Sequence, residues 1–115
     1  MEEPKDRMTT FLFTLKCADL GHCAKSLPLH KEWSRRIVEE FQNQGDHERE
    51  LGLPVSDGMD RTSTESEISQ HQFITDFPQP LYALYVSGFP SCQSCLDQVN
   101  QNTNWNIKEA KKKAK

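Results

Sequence analysis

The chain has no run of eighteen apolar residues, which excludes a membrane-spanning helix. It has no excess of positive charge either. Against 17 acidic residues stand 14 lysines and arginines, a formal net charge of −3, and this excludes broad nucleic-acid binding. The opening residues, MEEPKDRMTT, are acidic and polar where a secretory leader is basic and then apolar. The expectation is a cytoplasmic, reducing setting in which Cys17, Cys23, Cys92 and Cys95 stay free thiols. A second cysteine knuckle is missing as well. Cys92 and Cys95 form a single C-x-x-C and His22 precedes Cys23, but structural zinc sites normally draw on two paired knuckles. Spaced three apart on a helix face, both thiols are expected to pack as small hydrophobes. Apolar residues are scarce: 35%, or about 40% with the five glycines, against about 45–50% in ordinary domains. The core of so short a chain should be thin.

What is present is helical periodicity. The first stretch runs from about Asp6 to Ala18, with Met8, Leu12, Leu15 and Ala18 at helical spacing, and Gly21 stops it. A second helix begins near Pro28, a residue suited to a first turn. Leu29, Trp33, Ile37 and Phe41 then form an amphipathic stripe that Gly45 is expected to end. Asp46 to Glu50 reads as a further short helix before Gly52. Turn residues fill Leu53 to Arg61. A third helix spans about Ser63 to Phe77, interrupted by Pro78 and Pro80 before Leu81, Leu84 and Tyr85 continue it. A last helix covers about Ser91 to Trp105. Residues 108–115, with five lysines, read as a solvated basic tail. Neither a repeat nor strand-type alternation is present, so the fold class is all-α. These faces lack the short connections of a compact bundle, so apolar surface should remain for a partner.

The order of particular residues is more informative. A helix ends in Cys17-Ala18-Asp19, and a second carries Trp33, then Glu39-Glu40-Phe41 and Gln44-Gly45-Asp46. Gly52, Leu53 and Ser56 follow, and farther on Asp60, Arg61, Ser69, Gln70, Phe73, Ile74 and Pro80. This ungapped pattern, from about Asp6 to Trp105, resembles the C-terminal portion of the class I 3',5'-cyclic-nucleotide phosphodiesterase catalytic domain. The resemblance implies that residues 1–107 are part of that multi-helical domain. It further implies hydrolysis of cyclic AMP, cyclic GMP or both to 5'-monophosphates, supported by two divalent metals, zinc with magnesium or manganese.

Three positions carry the family's roles. Asp19 matches a carboxylate ligand of the tightly held metal. Gln70 matches the purine-binding glutamine, whose amide offers both a donor and an acceptor. Phe73, three residues on along the same face, matches the aromatic that stacks on the base. Read without the resemblance, a lone Asp is a solvated surface residue, and a Gln–Phe pair at this spacing is ordinary core and surface. Ile37, Val38 and Met59 are further candidates for the pocket wall. Departures are visible too: His22 stands where the family usually has Asn, Asp57-Gly58-Met59 where it prefers Pro-x-Cys, and His71-Gln72 where a small apolar residue and Gly are usual. His71 is read as a surface or helix-contact residue rather than a catalytic one.

The H-N-x-x-H motif that supplies the protonating histidine is absent, as are the remaining metal ligands. The expectation is therefore a chain that is inactive alone and needs either the N-terminal part of the domain or a homologous chain. The alternative is a non-catalytic helical fragment that docks on an intact homologue.

Overall fold

In the computed structural model, which describes residues 3–115, five α-helices carry the described chain. Helix α1 is Pro4–Asp19, α2 Leu27–Glu50, α3 Glu65–Asp76, α4 Pro78–Gly88 and α5 Gln93–Lys113. Tight 3-10 turns at Gly21–Ala24 and Pro90–Cys92 precede α2 and α5. Proline sets several of these boundaries. Pro4, Pro28 and Pro78 sit in first turns, where the missing N–H is not needed and the fixed φ suits a helix. Pro78 has no N–H to bond back to the preceding turn, so α3 stops and α4 starts there, although Phe77 between them keeps helical geometry at φ −107° and ψ −51°.

Helix α5 is the axis of the assembly. It packs against α3 and α4 and receives the Gly21–Ala24 turn. The apolar core is small: Cys17, Cys23, Ile74, Tyr82 and Val99, with Leu81, Tyr85 and Leu96 against it. Ile74 and Val99 are fully buried, each contributing about 1.5–3 kcal/mol. Beside it lies a polar core. Asn102 Nδ2 donates to the carbonyls of Cys23 and Lys25, both at 2.8 Å. Asn106 Nδ2 donates to the Asn102 carbonyl at 2.8 Å and lies 2.6 Å from His30 Nε2. Its Oδ1 accepts from His71 Nδ1 at 2.7 Å. Tyr82 Oη donates to the Cys17 carbonyl at 2.7 Å, tying α4 to the end of α1.

The radius of gyration is 16.7 Å, with extents of 53 × 31 × 19 Å. A compact domain of this length has a radius near 13 Å. The extended shape leaves apolar surface open, as the sequence suggested. Met8, Phe11, Leu12 and Leu15 on α1 are all more than half exposed.

Four expectations change. Gly45 does not end a helix: α2 runs through it to Glu50, absorbing the short Asp46–Glu50 segment. The face of α2 that is buried is polar, with His30, Ser34 and Gly45, while Leu29 and Trp33 of the apolar stripe are exposed. Helix α5 continues past Trp105 to Lys113, where Lys113 forms an ion pair with Glu67 of α3. Cys92 is half-buried and Cys95 exposed, so the two thiols do not pack together in the core.

Candidate functional site

A cavity of about 350 Å³ opens where the end of α1, the middle of α2 and the face of α3 meet. Its wall includes Asp19, His22, Ile37, Phe41, Gln70 and Phe73. Three local features bring them together. Helix α1 carries Asp19 in its final position, and the 3-10 turn from Gly21 packs on α2, which in turn packs on α3. On α3, the three-residue interval sets Gln70 and Phe73 on one face. Gln70 is buried, Phe73 39% exposed. The Phe73 ring stacks on Phe77 one turn on, with centroids 4.8 Å apart. Gln70 also borders a second cavity, of about 420 Å³, with Lys31, Arg35 and Arg61 on its wall.

Asp19 is 68% exposed, and its nearest cation is Lys16 Nζ at 3.6 Å. His22 is half-buried in the turn, its Nδ1 3.2 Å from His30 Nδ1. Burial, with the neighbouring charges of His30 and Lys25, lowers the His22 pKa to about 4. Burial likewise lowers that of His30, and pushes the Cys23 thiol up to about 12. At neutral pH both imidazoles are uncharged and the thiol is protonated.

All three residues singled out from the sequence, Asp19, Gln70 and Phe73, thus border one cavity, together with Ile37. Val38 faces the second cavity instead, and Met59 lies against Gly45. His71 is buried, bonded to Asn106 and edge-on to Trp105 at 5.4 Å, a helix-contact residue. The sequence reading missed His30. Its partners are His22, eight residues back, and Asn106, seventy-six residues on. The H-C-x6-H spacing from His22 was the available signal.

The chain belongs to the 3'5'-cyclic nucleotide phosphodiesterase family, whose sequence pattern matches residues 1–99. It is 38% identical over 106 residues to the 3',5'-cyclic-AMP phosphodiesterase 4C of Mus musculus, a match covering 91% of this chain and 16% of that protein. To the probable 3',5'-cyclic-AMP phosphodiesterase pde-4 of Caenorhabditis elegans it is 35% identical over 106 residues, with the same two coverages. The solved structure of LmjPDEB1 in complex with IBMX shares the fold, with a TM-score of 0.72 at 28% identity, covering 84% of this chain and 29% of that one. The chain therefore spans about a sixth of the length of the two curated relatives.

Proposed function

We propose that the chain forms the purine-side wall of a cyclic-nucleotide phosphodiesterase catalytic domain. Residues 1–107 belong to that domain, and residues 108–115 are a basic end beyond it. Gln70 pairs with the edge of the base through its amide, and Phe73 covers the ring face. Asp19 contributes one carboxylate to a metal centre whose other ligands come from elsewhere in the domain. The substrate is a 3',5'-cyclic nucleotide, cyclic AMP or cyclic GMP, and the product a 5'-monophosphate. Four free thiols suit a reducing, cytoplasmic setting. The observation that carries the reading is the convergence of Asp19, Gln70 and Phe73, up to 54 residues apart in sequence, on one cavity.

The family implies divalent metals, and the donors on this cavity do not suffice for a pair. Among the described residues lining it, only Asp19 and His22 can ligate, and Asp19 already faces Lys16. By itself the 115-residue chain should not hydrolyse cyclic nucleotides, because it holds neither the full ligand set nor a general acid of the H-N-x-x-H type.

The test is a chimera in which residues 1–107 replace the equivalent segment of a relative's catalytic domain. Hydrolysis of cyclic AMP or cyclic GMP is expected. Gln70→Ala should lower kcat/KM about 10- to 100-fold through loss of the base contact, and Asp19→Ala by at least as much. A folded, active chimera indifferent to both substitutions overturns the reading.

A second reading, a non-catalytic fragment that docks on an intact homologue, is favoured by the open apolar face of α1. Transcript sequence upstream of Met1 separates the two. An in-frame H-N-x-x-H supports the catalytic reading, and an in-frame stop supports docking.

A further inference from the structure

His22 and Cys23 lie in the Gly21–Ala24 turn, and His30 in the first turns of α2. Cys23 is 1% exposed and His30 fully buried, so two of the three groups are sealed from water. One ligating atom of each residue lies within 4.8 Å of those of the other two. The Nδ1 atoms of His22 and His30 are 3.2 Å apart, and Cys23 Sγ is 3.8 Å from His22 Nε2. A tetrahedral zinc ion with bonds of about 2.0 Å to nitrogen and 2.3 Å to sulfur has N···N edges of about 3.3 Å and N···S edges of about 3.6 Å. The histidine pair already stands at that edge length. The short contact of Cys23 Sγ is to the other nitrogen of His22, so the thiol must close from a separation of up to 4.8 Å to the N···S edge, a shift of up to about 1.2 Å.

We infer that His22, Cys23 and His30 form a binding site for a divalent transition ion of the zinc or cobalt kind. Two imidazoles and a thiol are borderline-soft donors, unsuited to magnesium or calcium, which prefer oxygen. Three protein ligands leave the fourth position to water. Both imidazoles are neutral at neutral pH, so protons do not compete with the ion for them. The Cys23 S–H bond breaks on loading, its proton goes to solvent, and a metal–sulfur bond forms. No electron is transferred, and the incoming cation offsets the burial that otherwise keeps the thiol protonated.

Asn106 is the outer partner of the site. Its Nδ2 lies 2.6 Å from His30 Nε2. An ion on Nδ1 displaces that atom's 3.2 Å contact with the His22 carbonyl, and the His30 proton then sits on Nε2 and needs an acceptor. A half-turn of the Asn106 amide presents Oδ1 to His30 and Nδ2 to His71, giving up the bond to the Asn102 carbonyl.

The test uses the whole chain, metal-freed and then titrated with zinc or cobalt. One ion per chain is expected, with X-ray absorption showing one sulfur and at least two imidazole nitrogens around zinc, and a thiolate charge-transfer band for cobalt. Cys23→Ser and His30→Gln should each weaken binding at least tenfold, while the double variant Cys92→Ser/Cys95→Ser binds as before. A first shell with two sulfurs or none, loss of binding in the Cys92/Cys95 variant, or no binding at all overturns the proposal. Should Cys23→Ser fail to fold, the sulfur count of the unsubstituted chain decides alone.

Discussion

Gly45 and Met59 meet so closely that a Cβ added to Gly45 would lie 1.9 Å from the Met59 carbonyl oxygen and 2.7 Å from its carbon. Helix α2 thus spends a glycine in its interior so that the following loop can lie directly on it. In an open helix Gly45→Ala would gain about 1 kcal/mol of helix propensity. Here the obstruction is backbone and the clash wins, so a net loss of about 2–4 kcal/mol is expected. Gly88→Ala, with no atom within 4 Å of the added Cβ, should change stability by less than about 1 kcal/mol. Urea midpoints of the two variants make the comparison.

Asn102 satisfies two carbonyls of the turn that follows α1, Cys23 and Lys25. Asn102→Ala strips the donor from both; the Cys23 carbonyl is left buried and unpaired at about 1–3 kcal/mol, while the partly buried Lys25 carbonyl can turn to solvent. A loss of about 2 kcal/mol is expected in chemical unfolding. Asn102→Leu should fare no better, since it adds apolar volume but returns no donor.

The loop after α2 is anchored by Glu48, which accepts from the Ser56 amide and the Ser56 hydroxyl, each at 2.7 Å. Those bonds, the backbone one first, hold the Glu48 carboxyl below its ordinary value of 4.5. A carboxylate whose folded pKa is depressed binds fewer protons than the unfolded chain. Its contribution is therefore complete above pH 4.5 and declines as pH falls from there through the folded value. Ser56 amide exchange, corrected for its intrinsic rate, should gain protection factor up to that plateau. In Glu48→Gln the dependence should be flat.

Phe73 separates stability from recognition. It is 39% exposed and touches Phe77, itself 57% exposed. Phe73→Leu should cost the isolated chain less than about 1 kcal/mol. In the chimera, on the proposal that Phe73 covers the base, KM should rise about two- to tenfold with kcat little changed.

The helices were legible because periodicity and proline speak locally: Pro28 and Pro78 mark boundaries that the structure shares. Gly45 was misread because a glycine that stops a helix and one that admits a neighbouring backbone look alike until the neighbour is known. The buried edge of α2 was hidden for another reason. His30 and Ser34 read as polar, and only Asn106, far along the chain, gives His30 a partner in the interior. Lys113 is similar: its pairing with Glu67 of α3 is invisible in a lysine run. The cavity residues Asp19, Gln70 and Phe73 came from resemblance to the family. Nothing in their spacing brings position 19 beside position 70; the packing of the Gly21–Ala24 turn on α2 and α5, and of α2 on α3, does.

Because the single amide of Asn106 reaches His30 on one side and His71 on the other, α2, α3 and α5 share one fastening. The three also pack on one another, α3 on α5 most extensively, so their slowest hydrogens should exchange together, as one cooperative unit. Helix α1 hangs from α4 through Tyr82 and the Phe13–Tyr85 ring contact at 5.5 Å, and it can peel away first. Brief proteolysis should trim it while the four-helix remainder, α2 to α5, survives.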